Sequence, residues 1–153
     1  MYSYAINFMT GDTPGLAVFC RDLPELNSFG DDREHAISEA VDAIETTLSL
    51  YVDQRRKIPE ATPAHPGEEV IYLPAVTLAK IYLWNEMMAR DMRKADLCRL
   101  LSVSQTQGDR LVDFTHTSKM EQLEVALDRL GLHLTVAVSR YYSVKDEVAP
   151  VYG

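Results

Sequence analysis

The 153-residue sequence has only two cysteines and no long apolar run. Cys20 and Cys98 lie far apart and form no CxxC pair, which argues against a disulfide framework or a cysteine metal site. Without about 18 consecutive apolar residues, a membrane span is not expected. The start of the chain has neither the basic nor the apolar region of an export signal. A reducing, cytoplasmic setting is therefore expected.

Basic residues are also scarce, because 15 Lys and Arg face 23 Asp and Glu and leave a net charge of -8. The imbalance lies in one half of the chain. Residues 1–75 hold 5 basic and 13 acidic residues, whereas residues 76–153 hold 10 of each. With 46% hydrophobic residues the chain should fold. The charge distribution indicates two modules with different electrostatic roles, of which the acidic one does not suit nucleic acid.

The first half has the pattern of a small antiparallel sheet with one helix. Alternating apolar residues and turn residues predict strands over 2–8, 16–20, 26–29 and 70–73. Asp31, with Glu34 three residues later, resembles a capping box and predicts the start of a helix. Apolar residues then recur at steps of 3 and 4 up to Val52. This predicts an α+β module over residues 1–73.

The second half is predicted to be mostly helical, with a change of character at Pro74. Helices are expected over 75–92, 94–101, 104–113 and 119–130, followed by a strand over 132–139. The predicted division is a first domain over 1–73, a second over 74–140 and a flexible tail over 141–153.

The first half resembles the N-terminal domain of HicB antitoxins. The residues that match this family in order include Gly15, Val18, Asp22, Leu23, Pro24, Gly30, Glu34, Ala36, Ala40, Ile58 and Pro59. The resemblance implies a partial ribonuclease H-like fold. It also implies a HicA-type toxin partner that cleaves messenger RNA, and repression of the operon that encodes the pair.

The segment from Asp96 to Ser104 resembles the first helix and turn of the lambda-repressor/Cro helix-turn-helix. Cys98 stands at the position of a small residue, and Ser104 is the expected N-cap of a recognition helix. Expected DNA contacts are Ser104, Gln105, Thr106, Gln107, Arg110, Lys94 and Arg93. Gly108 departs from the family's buried Ile or Val and predicts less core under this helix, while Asp109 adds a negative charge near the phosphates.

Acidic side chains of the first half are candidate contacts for the toxin. An RNA-cleaving protein needs cations for phosphates, so acidic groups on this module would steer its association. The candidates are Asp12, Asp22, Glu25, Asp31, Asp32 and Asp42. The alternative interpretation of each is solubility alone, and for Asp31 a helix cap.

The predicted strand over 132–139 has no neighbouring strand in its half of the chain. An isolated strand leaves its backbone groups unpaired. We therefore expect it to pair with the same strand of a second copy, through the face of Leu132, Leu134, Val136 and Val138, giving a homodimer or higher oligomer.

Other function classes stay open. One is a stand-alone transcription regulator with a ligand-sensing first module. Another is a ribonuclease H-like nuclease, which is disfavoured because Tyr2 to Phe8 carries no carboxylate for a metal ion. The four histidines have no ligand spacing. We expect no catalytic residue, no metal and no cofactor.

Overall fold

The computed structural model describes residues 1–141 and has four strands and five helices within them. The strands are β1 (Tyr4–Met9), β2 (Leu16–Cys20), β3 (Ser28–Gly30) and β4 (Glu69–Ile71). The helices are α1 (Arg33–Asp53), α2 (Ala75–Ala89), α3 (Lys94–Leu101), α4 (Gln105–Arg110) and α5 (Met120–Arg129). The predicted α+β class is confirmed. None of the helices in residues 1–141 combines the length and apolarity that a membrane crossing requires.

The strands form one antiparallel sheet in the order β3-β2-β1-β4. Inward residues of β1 and β2, such as Ile6 and Val18, are buried because alternate side chains of a strand point to one face. Helix α1 covers this face with Ala40, Ile44 and Leu48, which share one side of the helix. Among residues 1–141, no helix covers the opposite face of the sheet.

Helix α1 begins one residue later than the capping-box prediction required. Its N-cap is Asp32, whose carboxylate accepts a hydrogen bond from the His35 backbone N–H at 2.8 Å. The backbone N–H of Asp31 donates to His35 Nδ1 at 2.9 Å. The prediction of Asp31 as the cap was wrong. His35, not Glu34, makes both hydrogen bonds at the start of the helix, through its backbone N–H to Asp32 and through its Nδ1 to Asp31 N.

Helix α2 packs against both halves of the chain, and buried residues of both belong to one hydrophobic cluster. The Asn85 side chain is buried and accepts from Ile58 N at 2.8 Å, while its Nδ2 donates to Ile58 O at 2.9 Å and to the Tyr2 hydroxyl at 3.0 Å. Trp84 Nε1 donates to Arg56 O at 2.8 Å. Pro74 precedes α2 directly, as expected. The division into two domains at Pro74 stays a prediction.

The predicted strand over 132–139 does not form in the single chain, so the expectation of a fold ending in a strand is corrected. Within residues 1–141 no other strand pairs with this segment, and a strand requires such pairing for its backbone groups. Leu132 and Leu134 pack partly against the core, whereas Val136 and Val138 are 79% and 96% exposed. Of the predicted tail, all but Tyr141 lies outside the described residues.

Candidate binding surfaces

A short turn of residues 102–104 joins helices α3 and α4. Ser102 ends α3 with a left-handed backbone, at φ 53°. Ser104 is the N-cap of α4, as predicted, and its Oγ accepts from Gln107 N at 3.2 Å. The Gln107 side chain returns the contact, because its Oε1 accepts from Ser104 N at 3.1 Å. This reciprocal pair is a capping box that fixes the first turn of α4.

Gly108 lets α4 lie directly against α3. The glycine is buried, and a Cβ at this position would overlap Cys98 Sγ and lie 3.4 Å from Cys98 Cβ. The sequence predicted less core under this helix because of Gly108, and the structure adds that the glycine allows this close approach. The missing side chain compensates for the thiol on the facing helix, which is larger than the small residue usual there.

The predicted DNA-contacting residues of α4 are exposed, but two of them already have partners inside the helix. Gln105 Nε2 donates to Asp109 Oδ1 at 2.6 Å, and the Gln107 amide serves the capping box. Thr106 and Arg110 make no side-chain hydrogen bond within residues 1–141. The sequence predicted that both glutamines are available to contact DNA bases, and these contacts within the helix were missed. The spacing Ser104-x-x-Gln107 is nevertheless typical of a capping box.

The C-terminal end of α4 is fixed by a buried lysine that the sequence reading did not single out. Lys80 on α2 is 1% exposed. Its Nζ donates to Arg110 O at 3.0 Å, to Asp113 O at 2.7 Å and to His116 O. Burial lowers the pKa of Lys80 to about 8. The available signal was a single cation within a helix that is apolar around most of its circumference.

Three of the six acidic candidates serve the fold itself. Asp22 accepts from the backbone N–H of Thr62 at 2.9 Å and ties the loop before β4 to the hairpin. Glu25 accepts from the Tyr51 hydroxyl at 2.6 Å and from Arg56 at 2.9 Å, and these contacts, Tyr51 first, lower its pKa. The third residue, Asp32, caps α1.

The other three acidic candidates are exposed. Asp12 lies in the turn between β1 and β2, and Asp42 lies on the outer side of α1. Asp31 follows β3 directly, with its carboxylate 3.6 Å from His35 Nδ1. These three carboxylates are therefore the ones available to a partner.

The face of the sheet opposite α1 carries exposed apolar side chains. Met9, Phe19, Phe29 and Tyr72 are 59%, 42%, 49% and 51% exposed. We call these four residues the outer sheet face. Register places Met9 beside Ala17 and Ala17 beside Phe29, and paired residues of neighbouring strands share a face. The sequence reading concentrated on the inward positions and missed this surface, although the same alternation marks Met9 and Phe19 as outward.

No metal centre is formed by the residues that the structure describes, since nowhere in them do three His, Cys, Asp or Glu side chains come together. Cys20 and Cys98 are both buried and are not joined to each other.

Comparison with known proteins gives a consistent family. Residues 3–82 match the family model described as HicB_like antitoxin of bacterial toxin-antitoxin system. Antitoxin HicB of Pseudomonas fluorescens (strain Pf0-1) is 42% identical over 90% of this chain and 94% of its own length. Antitoxin HicB 2 of Photorhabdus laumondii is 37% identical, over 86% of this chain and 92% of its own. Antitoxin HicB of Escherichia coli (strain K12) is 23% identical over 88% of this chain and 98% of its own length.

Proposed function

Because the chain belongs to the HicB-like antitoxin family, we propose that it neutralises a cognate HicA-type, mRNA-cleaving toxin and represses its own operon. Toxin binding is assigned to residues 1–73 and DNA binding to α3 and α4. Both activities take place in the cytoplasm. The observation that carries the proposal is the family match together with the acidic charge of the first half.

The charge of the first half supports a toxin partner. A protein that cleaves RNA holds phosphates with Lys and Arg. Residues 1–75 carry the whole net charge of -8, which is complementary to such a surface. The exposed carboxylates of Asp12, Asp31 and Asp42 can face these cations, because none of them is committed to a strong contact within the described residues.

The geometry of α3 and α4 supports DNA binding. The capped N-terminus of α4 and the left-handed Ser102 are features of helix-turn-helix units that place a second helix in the major groove. Thr106 and Arg110 are exposed on α4, and Arg pairs with guanine or with phosphate. Arg93 and Lys94 stand at the start of α3, where they can hold the DNA backbone.

The segment from Leu132 to Val138, whose Val136 and Val138 are exposed, supports a two-fold dimer. Pairing with the same segment of a second copy would satisfy backbone groups that lack a strand partner in residues 1–141. A two-fold dimer would carry two copies of α4, as a palindromic operator requires. Light scattering on the full-length protein tests the dimer, and a monomer at micromolar concentration would refute it.

Operator binding is tested with the Arg110→Ala variant. We expect its affinity for the promoter fragment of its own operon to fall about 5- to 150-fold, because loss of one Arg base contact costs about 1–3 kcal/mol. Lys57→Ala, which removes the same charge from the first half, is the control and should bind as the wild type does. Equal affinity of Arg110→Ala and wild type would contradict the assignment of α4.

Toxin neutralisation is tested by co-purification with the toxin and an RNA cleavage assay. The chain should form a stable complex and abolish cleavage at equimolar ratio. Cleavage that continues in the presence of excess chain would contradict the proposal. Magnesium-dependent cleavage by the chain alone would indicate a ribonuclease H-like nuclease instead.

One observation favours a second candidate, a stand-alone regulator that senses a ligand. A cleft of about 610 Å³ lies between α1, α2 and residues 114–117, and Asp42, Glu45, Thr77 and Lys80 contribute to its lining. Operator binding that responds to a small molecule, in a chain that binds no toxin, would favour this function.

A further inference from the structure

The outer sheet face is an apolar surface in a region that is otherwise strongly acidic. Met9, Ala17 and Phe29 form one row across three strands, with Phe19 on the same face of β2. Exposed apolar patches with polar rims mark contact surfaces, and aromatic side chains are enriched among the residues that dominate binding energies. This surface therefore fits a macromolecular partner better than solvent.

Phe29 is held in place by the hairpin beside it. A Cβ on Gly15 would overlap Phe29 Cζ and would lie 2.8 Å from Gly30 O, so the ring occupies the space that a side chain at position 15 would take. Gly15 also has a φ of 100°, which favours glycine. Because packing over Gly15 restricts the ring before binding, the ring loses less conformational freedom when a partner covers it.

The charges around this face identify the chemistry of the partner. Asp12 in the hairpin turn and Asp31 after β3 lie at the same end of the sheet, because Met9 of β1 and Gly30 of β3 are both paired at the start of β2. At the opposite end, Arg21 is neutralised by Glu68 at 2.7 Å. The rim is negative, and it suits a protein with a basic surface.

Building on the proposed function, we propose that the outer sheet face is the surface on which the basic, RNA-binding toxin docks. Phe19 and Phe29 are the apolar anchors, and Asp12 and Asp31 steer the cations of the toxin toward them. Of the six acidic residues predicted as contacts, Asp22, Glu25 and Asp32 instead hold the fold together.

The test compares the double variant Phe19→Ser/Phe29→Ser with the control Leu50→Ser/Val125→Ser. The control residues are exposed to a similar extent on α1 and α5. Affinity for the purified toxin is measured by calorimetry after circular dichroism has shown that each variant is folded. We expect at least about a 30-fold loss for the face variant, since two anchor residues are removed, and wild-type affinity for the control.

A second variant keeps the test decisive if the double variant does not fold. Asp12→Lys/Asp31→Lys changes only exposed residues and should slow association with the toxin at least about tenfold at low salt, with a smaller effect at high salt. Asp53→Lys, a charge reversal of an exposed residue at the far end of α1 from Asp31, is its control. Equal association rates in all three proteins would contradict the proposal.

The outcomes separate this inference from the proposed function. If the wild type does not bind the toxin, the proposed function itself fails. If wild type and both face variants bind equally, the function stands and the docking surface is wrong. If the face variant retains toxin affinity but turns a dimer into a monomer in light scattering, the face is a contact between two copies and the inference is overturned.

Discussion

The two halves of the chain each bring a helix against its neighbour at a glycine, but the two glycines face different atoms. In the first half β3 meets α1, and a Cβ on Gly30 would overlap Ala36 N and lie 2.5 Å from Ala36 Cα. In the second half α4 meets α3, and a Cβ on Gly108 would overlap the Cys98 thiol. The distance between β3 and α1 is therefore limited by backbone atoms, whereas the distance between α4 and α3 is limited by one side chain.

This difference distinguishes a fixed contact from an adjustable one. No change of side chain relieves a clash with the backbone of Ala36. A larger residue at position 30 therefore forces α1 and β3 apart. A clash with Cys98 disappears if residue 98 becomes smaller. The position of α4 therefore depends on a pair of side chains, whereas the position of α1 depends on main-chain geometry.

The largest effect is expected for Gly30→Ala, because the new Cβ has no room unless the backbone moves. Overpacking of this kind costs typically about 1–3 kcal/mol, and we expect the upper end. Urea denaturation measures the change in the free energy of unfolding. Gly11→Ala is the matched control, since no atom lies within 4 Å of a Cβ there. Equal stability of the two variants would show that the contact at Gly30 is not fixed.

The next effect concerns the buried cation of the second half. Lys80→Met leaves Asp113 O and His116 O without the donor they have in the wild type, while Arg110 O keeps a bond from Ser118 Oγ at 3.1 Å. We expect a loss of about 2 kcal/mol in the free energy of unfolding. A variant as stable as the wild type would show that Lys80 does not hold the end of α4.

The difference in stability between the wild type and Lys80→Met is expected to depend on pH. The pKa of Lys80 is lowered from 10.5 to about 8 by burial. Between these values the unfolded chain binds more protons than the folded chain, so the contribution of Lys80 to stability rises as the pH increases. Denaturation of the wild type and Lys80→Met between pH 7.5 and 10.5 should show a growing difference. A constant difference would mean that the pKa is not depressed.

The smaller effect of Gly108→Ala tests the adjustable contact directly. We expect a loss of about 1 kcal/mol, because overpacking against Cys98 is partly offset by the better helix propensity of Ala. In Cys98→Ala/Gly108→Ala the loss should disappear relative to Cys98→Ala. A double-mutant cycle measures this coupling, and additive effects would show that the thiol does not limit α4.

The smallest effect is expected at the surface of the first half. Glu68 is held by Arg21 and by the His65 backbone N–H, and these contacts lower its pKa from 4.5 to about 2. Its contribution to stability is complete above pH 4.5 and is lost as the pH falls toward 2. The difference in melting temperature between wild type and Glu68→Gln should therefore close between pH 6 and pH 2. A difference that persists at pH 2 would contradict the lowered pKa.

Local patterns predicted the regular elements well. Tyr4, Ile6, Val18 and Cys20 alternate in the sequence and are all buried in the sheet, and the spacing of Ala40, Ile44 and Leu48 placed α1 on it. The end of α2 was predicted three residues too late, because the left-handed backbone of Asp91 stops the helix and leaves no sequence signal as clear as Gly. Periodicity locates elements better than their ends.

The candidate sites were harder to predict because they depend on which polar groups are already used. The spacing of Gln105 and Asp109 allows a hydrogen bond within one helix, but only the structure shows that it forms. The contact of Asp22 with Thr62 joins residues 40 positions apart and has no local signature. The alternation over 132–139 was read correctly as a pattern, yet a strand also needs a partner, which the single chain does not supply.

The contacts of Asn85 also set an order of events during synthesis. A chain is made from its N-terminus, and domains generally fold as they emerge. Ile58 N, Ile58 O and the Tyr2 hydroxyl are all hydrogen-bonded to the Asn85 side chain. These three groups of the first 73 residues therefore gain this partner only after most of α2 has been translated. Until then these polar groups of the newly made acidic half have no hydrogen-bond partner from α2. A nascent chain that lacks residue 85 would leave those three groups bound to water.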